Sequence, residues 1–298
     1  MKKEFRGNVL LLLTAMIWGA AFVAQSVSMD HIGPFTFQAV RSALGALVLL
    51  PVIFITDRKN GAPSKSRSKA ERRLLWRAGL ICGVVFTVAS NVQQIGICYT
   101  TAGKAGFITA MYIVLVPIAG LLFRRRPGWN TWAGVVLAVG GLYLLCVQSG
   151  FSIGRGDVLV FLSAIAFTVH ILVIDHYSPL VDGVRLSCIQ FAVCAVLSGA
   201  VMLVREQPSA AALAECALPI AYAGIGSCGL GYTFQIIGQK YTSPTVASLL
   251  MSLESVFAAL FGWLLLREAL SARELFGCLL MFAAIVLAQL PLGKKKRA

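Results

Sequence analysis

The chain has 298 residues, 58% hydrophobic and only 13% charged, with a mean hydropathy of +0.82. Soluble domains carry about 25% charged residues, so this composition excludes an ordinary soluble globule and leaves no polar segment long enough for a separate soluble domain. The net charge of +14 does not signal nucleic acid, because the Lys and Arg stand in short runs between apolar stretches, the pattern of topology signals and anionic-lipid contacts.

In chain order, Lys2, Lys3 and Arg6 precede a first apolar run at 9–27, too long for a signal-peptide core and carrying an unusual Trp18–Gly19 pair. A turn from Asp30 to Pro34 leads to a second span at 35–55, which contains Arg41. A basic linker over 57–77 follows, then a third span at 78–98 and a fourth at 106–123, ending at Arg124, Arg125 and Arg126. Pro127 and Gly128 turn the chain, and Asn130 is placed to cap a fifth span at 131–147. A glycine-rich turn separates the halves, and Asp157 is placed to cap a sixth span at 158–174. Further spans are expected at 186–204, 218–237 and 246–266, and Ser271-Ala-Arg-Glu274 reads as a capping box for a tenth at 275–290. Lys294, Lys295, Lys296 and Arg297 lie in a basic cytoplasmic tail over 292–298.

Ten spans put both termini on one side. Lys and Arg then number 20 on that side against 5 on the other, with Arg41 inside a span. Basic residues mark the cytoplasmic face, so both ends are expected there, in a multi-pass cell-membrane protein.

The two halves echo each other. Gly7-Asn8 stands 149 residues before Gly156-Asp157, and Arg41 stands 149 before Gln190. Residues 95–107 match 237–249, aligning Tyr99 with Tyr241, Thr100 with Thr242, Gln93 with Gln235 and, carried forward, Tyr112 with Glu254. Five spans per half is an odd number, so the second copy enters from the opposite side. The expectation is an all-α membrane protein of ten transmembrane helices as two inverted five-helix repeats, at 7–147 and 156–291, a transporter architecture with its site near the midplane.

The ninth span holds one ionisable residue, Glu254, about 13 Å from its start and so near mid-membrane. A carboxylate there costs about 2.5–3.5 kcal/mol on insertion scales and marks a functional site by default. Arg41, about 10 Å inside its helix, either snorkels outward as an anchor, pairs with Glu254, or attracts a solute carboxylate. Asn91 and Gln94 share a helix face, and with Gln93 and Gln235 they make four amides that either join helices or line the cavity. Trp18, Tyr112 and Phe22 are candidate aromatic walls, His170 a polar group inside a span, and each has an ordinary packing role as its competitor. The substrate-binding set is therefore Trp18, Asn91, Gln94, Tyr112, His170, Gln235 and Glu254, with Glu254 and Arg41 for proton coupling or charge pairing. The eight cysteines form no CxxC and no Cys/His ligand spacing, so neither metal nor cofactor is expected. No Walker-type loop, HExxH or GxSxG appears, so the chain is not expected to be an ATPase or an enzyme.

At these residues the chain resembles the EamA family of the drug/metabolite transporter superfamily. The resemblance rests on Trp18-Gly19-Ala20-Ala21-Phe22, Arg41, the segments 99–117 and 253–271, and Gly134 and Gly277, in order across nearly the whole chain. It departs at Gln190, where the first half has arginine, and at Ser255, where proline often follows the glutamate. The resemblance implies a ten-helix inner-membrane protein that moves amino acids, other small metabolites or drugs, often outward. The reading is a secondary transporter exporting a small organic solute by alternating access, its partners being that solute and the lipid bilayer. The competitors are an intramembrane lipid- or isoprenoid-processing enzyme and a passive channel.

Overall fold

The computed structural model describes residues 2–59, 68–100, 102–122, 124, 127–146, 153–266 and 271–290. The basic tail, Glu268 just past the ninth expected span, Arg125, Arg126 and the middle of the 57–77 linker lie outside these. Among the described residues the chain is all helix. In order these are α1 (Lys2–Ser28), α2 (Pro34–Lys59), α3 (Lys69–Ile97), α4 (Ala102–Thr109), α5 (Tyr112–Leu122), α6 (Trp129–Cys146), α7 (Arg155–Tyr177), α8 (Gly183–Arg205), α9 (Ala210–Glu215) and α10 (Ala217–Ala221). A π-helical stretch, Tyr222–Tyr232, then runs on into α11 (Thr233–Gln239), followed by α12 (Pro244–Met251), α13 (Glu254–Leu266) and α14 (Ala272–Gln289).

Among the described residues, eight helical runs are long and apolar enough to cross a membrane: 3–28, 34–58, 69–97, 104–122, 129–146, 155–177, 183–205 and 244–261. Two further helical runs, 217–239 and 272–289, stand beside them. Polar groups turn inward and apolar ones outward. Arg41, Gln94, Gln190 and Glu254 are buried, while Leu47, Phe54, Val136 and Leu203 cover the outside. In water such an apolar exterior would be an aggregation surface; against lipid it needs no cover.

The expected ends hold in part. Ser271 and Glu274 form the capping box at α14, each side chain serving the other's amide. Asp157 acts from the first turn of α7, accepting from Gly154 N at 2.8 Å, rather than as its cap. Asn130 is a correction: it lies inside α6 and its amide donates to carbonyls at the end of α14, including Leu290 O at 2.9 Å. The fourth and ninth expected spans are each interrupted, α4–α5 at Ala110–Met111 and α12–α13 at Ser252–Leu253. Around the second break Ser248 and Ser252 bond back to carbonyls three residues earlier, at 2.9 and 2.8 Å, which competes with the regular ladder.

α1 threads the centre, against the π stretch, α11, α12 and α13. α2 packs on α8, and α6 on α14. Glycine makes the last pair close: a Cβ on Gly141 would stand 2.8 Å from Gly277 O, and one on Gly277 2.7 Å from Gly141 O. Contacts recur in pairs. Thr242 Oγ1 donates to Asn8 Oδ1 at 3.0 Å, and Thr100 Oγ1 to Asp157 Oδ1 at 2.5 Å. Gly7 abuts Gly238 O, and Gly156 abuts Gly96 O.

Candidate functional site

The two broken helices set the site. Tyr112 is the first residue of α5 and Glu254 the first of α13. Both are buried, and the Tyr112 hydroxyl donates to Glu254 Oε1 at 3.2 Å. The helix carrying Glu254 is held against α1 by Gly19, whose absent Cβ would lie 2.8 Å from Glu254 O and from Ala258 N. The Trp18–Gly19 pair thus has two jobs: glycine lets α13 approach, and tryptophan turns toward the cavity beside it.

That cavity has a volume of about 40 Å³, room for a few waters. Its wall takes Trp18, Phe22 and Gln25 from α1, Arg41 from α2, Gln93 from α3, Thr109 and Tyr112 at the first break, Phe167 and Ile171 from α7, Ser227 and Tyr232 from the π stretch, Gln235 from α11, and Met251 and Glu254 at the second break. A π stretch shifts side chains off the α register and is frequent at functional sites. Here it carries Tyr232 into an aromatic cluster, its ring centroid 4.5 Å from Trp18 and 4.9 Å from Phe86.

Arg41 is 2% exposed, so it does not snorkel to the surface. Its Nε donates to Gln38 Oε1 at 2.7 Å, and Gln38 Nε2 donates to Ser90 O at 2.8 Å, which fixes the guanidinium from α3. Gly224 lets α2 come this close to the π stretch; a Cβ there would stand 3.0 Å from Arg41 O. Arg41 and Glu254 border the same cavity, and no direct ion pair joins them; the described pairs are His31–Glu215, Lys104–Asp157 and Arg185–Asp57. Three buried polar atoms on the wall have no hydrogen-bond partner among the described residues: Trp18 Nε1, Gln25 Oε1 and Gln235 Oε1. One donor and two acceptors, a cation and a carboxylate are therefore available to a small polar ligand or to water.

Of the residues singled out from sequence, the structure brings Trp18, Phe22, Gln93, Tyr112, Gln235, Glu254 and Arg41 to this cavity. The other three sit in helix contacts beside it. Asn91 Nδ2 donates to Ser198 Oγ at 2.8 Å, tying α3 to α8. Gln94 Nε2 reaches Gln25 O at 3.4 Å. His170 Nε2 lies 2.9 Å from Gln190 Oε1, joining α7 to α8. Sequence reasoning missed Gln25, Thr109, Ser227 and Tyr232. Tyr232 had a usable signal, standing three residues before Gln235 on one helix face.

Comparisons with known proteins agree with this picture of apolar helices around a polar centre. A model of the EamA-like transporter family matches residues 5–147 and again residues 154–290. An uncharacterized transporter of Archaeoglobus fulgidus is 31% identical over 97% of this chain and 87% of its own length. The probable glucose uptake protein GlcU of Priestia megaterium is 22% identical over 96% of this chain and 98% of its own. A crystal structure 18% identical in sequence superposes with a TM-score of 0.75, covering 95% of this chain and 96% of that one, a likeness of fold. The chain belongs to the EamA-like transporter family: it is a multi-pass membrane transporter of a small molecule, not an enzyme.

Proposed function

We propose that the chain is a secondary transporter of the cytoplasmic membrane that exports a small organic solute, an amino acid or related metabolite or a drug, by alternating access. In this reading ten spans form two inverted five-helix repeats, 7–147 and 156–291, with both termini cytoplasmic. The eight apolar runs are joined by 217–239 and 272–289 to make ten.

The observation that carries the reading is the meeting of Tyr112 and Glu254. They are aligned by the repeat, each opens the second piece of a broken helix, and they touch beside the cavity. Broken helices meeting at a midplane site between repeats are the usual construction of such transporters. Contact pairs that interchange under the repeat register support it too: Asn8–Thr242 with Asp157–Thr100, and Gly7–Gly238 with Gly156–Gly96. A dyad relating the halves produces such pairs.

A cavity of about 40 Å³ is far below the few hundred Å³ a solute needs. Passage therefore requires the halves to part, first on one side and then on the other. Outward direction follows the family resemblance, although the name of GlcU points that relative to uptake. Glu254 is the proposed proton carrier, and Arg41 with the unpartnered atoms of Trp18, Gln25 and Gln235 the proposed solute contacts. A thermal-shift screen of small metabolites on the purified protein, followed by flux in liposomes, tests the reading, because a ligand stabilises the state it binds.

A further inference from the structure

Two carboxylates fasten the ends of the α2–α8 pair. Asp57, near the end of α2, holds the Arg185 guanidinium near the start of α8 through both its oxygens. Glu206, just past the end of α8, reaches the start of α2. Its Oε1 accepts from Phe35 N at 3.0 Å, and its Oε2 from Thr36 N at 2.7 Å and Thr36 Oγ1 at 2.6 Å. Asp57 and Glu206 stand 149 residues apart, as do Thr36 and Arg185, the spacing that relates Asn8 to Asp157. One contact is thus made twice, at opposite ends of the pair, by equivalent residues.

The chemistry differs for a local reason. α8 is capped from its own sequence, since Asp182 accepts from Arg185 N at 2.9 Å. The equivalent position before α2 is Gly33, which has no side chain to offer. The first amides of α2 are orphans that a carboxylate can satisfy, and Glu206 does so from the other half. Gly33 also makes room: a Cβ there would stand 2.2 Å from Glu206 Cδ. The face bearing Asp57 is therefore closed by an ion pair, and the opposite face by a carboxylate on a helix start.

Because α2 and α8 are each other's counterparts, the dyad of the inverted repeat passes between them. The 21 residues from Thr36 to Asp57 span roughly 32 Å, so each clasp lies roughly 16 Å from that axis. A rocking of about 10°, the order of rigid-body turns between packed units, moves such a point by about 3 Å. That is enough to break a hydrogen bond. The same rotation presses the opposite ends together. Resting on the alternating-access reading, we propose that Asp57–Arg185 and Glu206–Thr36 are the two latches of the transport cycle, each released when its own face opens and both engaged when the cavity is closed.

The test uses one cysteine at Ser227, on the cavity wall, in the full chain with its eight native cysteines replaced. A charged, membrane-impermeant thiosulfonate is applied to right-side-out and inside-out vesicles, and the two labelling rates give a ratio. Arg185→Ala should raise labelling from the Asp57 face relative to the other by about fivefold or more, the scale of a lost charged hydrogen bond. Glu206→Ala should move the ratio as far the other way. Arg185→Gln and Glu206→Gln, which keep side-chain length, should give the same signs in smaller measure. Asp57→Arg combined with Arg185→Asp should return the ratio to that of the parent. Shifts of one sign in both variants, as a merely loosened protein would show, overturn the latches. So does an unchanged ratio in a parent labelled from both faces, and in that case alternating access stands. Labelling from one face only, in the parent and in every variant, overturns alternating access itself.

Discussion

The Tyr112 hydroxyl donates to Glu254 Oε1 at 3.2 Å, so the first residues of two half-helices from opposite halves of the chain meet at the wall of one cavity. This bond joins α5 to α13 and gives the buried carboxylate its side-chain donor. Any movement that parts the halves along this line has to stretch it.

We expect Glu254→Gln to abolish solute accumulation driven by a pH step while leaving solute exchange largely intact. Glutamine keeps the size and can still bond to Tyr112, but it cannot take up or release a proton. Liposome flux with and without an imposed pH difference checks this. Accumulation by the Gln variant against a gradient would remove Glu254 from the coupling step.

Tyr112→Phe should cost about 1–3 kcal/mol of stability, because it leaves the buried Glu254 without that donor. Tyr112→Phe combined with Glu254→Leu should recover part of the loss, since removing both partners is cheaper than orphaning one. Thermal unfolding in detergent of Tyr112→Phe, Glu254→Leu and the double variant, each compared with the parent, measures the coupling. Additive losses would mean that the bond contributes nothing.

Trp18→Phe keeps a ring against Tyr232 and removes the unpartnered Nε1 donor. The expected outcome is weaker solute binding, by about five- to tenfold, with little change in melting temperature. Asn91→Leu should do the reverse: melting falls by an amount equivalent to about 1 kcal/mol, the scale of an interhelical hydrogen bond in a membrane, and solute affinity holds. Titration by thermal shift reads both quantities on the same samples. Equal effects of the two variants on affinity would contradict the division between cavity wall and helix contact.

Gly141→Val should push α6 and α14 apart, because a Cβ at Gly141 already meets Gly277 O at 2.8 Å. Overpacking of this kind costs about 1–3 kcal/mol. Gly140 has nothing within 4 Å of its missing Cβ, so Gly140→Ala should be tolerated. Yield of monodisperse protein after extraction distinguishes the two positions.

Reporter fusions after Lys59 and at the C-terminus should both report cytoplasm, and one placed at Gly150 should report the opposite side. The basis is the bias of 20 basic residues against 5. A non-cytoplasmic signal from either of the first two would break the ten-span topology.

Much of this was readable from residue spacing. Gly7 and Gly156 stand 149 residues apart and Gly134 and Gly277 143 apart, and each of the four lies where a close helix contact leaves no room for a Cβ. Glu254 stood out because a lone carboxylate in an apolar span is costly unless buried among partners. The helix breaks did not show, since Ala110–Met111 and Ser252–Leu253 hold neither Pro nor Gly and the apolar pattern runs straight through them. The choice among Asn91, Gln93 and Gln94 was hidden for a related reason. This end of α3 is buried on nearly every side, so periodicity could not say that Gln93 faces the cavity while its neighbours face other helices. Gln25 and Tyr232 needed the third dimension, because α1 and the π stretch meet across more than 200 residues of chain.

The central claim is that a solute crosses by alternating access through the Tyr112–Glu254 cavity, and counterflow tests it most directly. Liposomes holding the purified protein are loaded with excess unlabelled solute, taken from the thermal-shift screen, and diluted into a trace of labelled solute. The account predicts a transient accumulation of label above equilibrium that saturates with solute concentration and disappears when a cysteine at Ser227 is modified by a bulky thiol reagent. Linear uptake that never overshoots, or an overshoot indifferent to modification at Ser227, would contradict it.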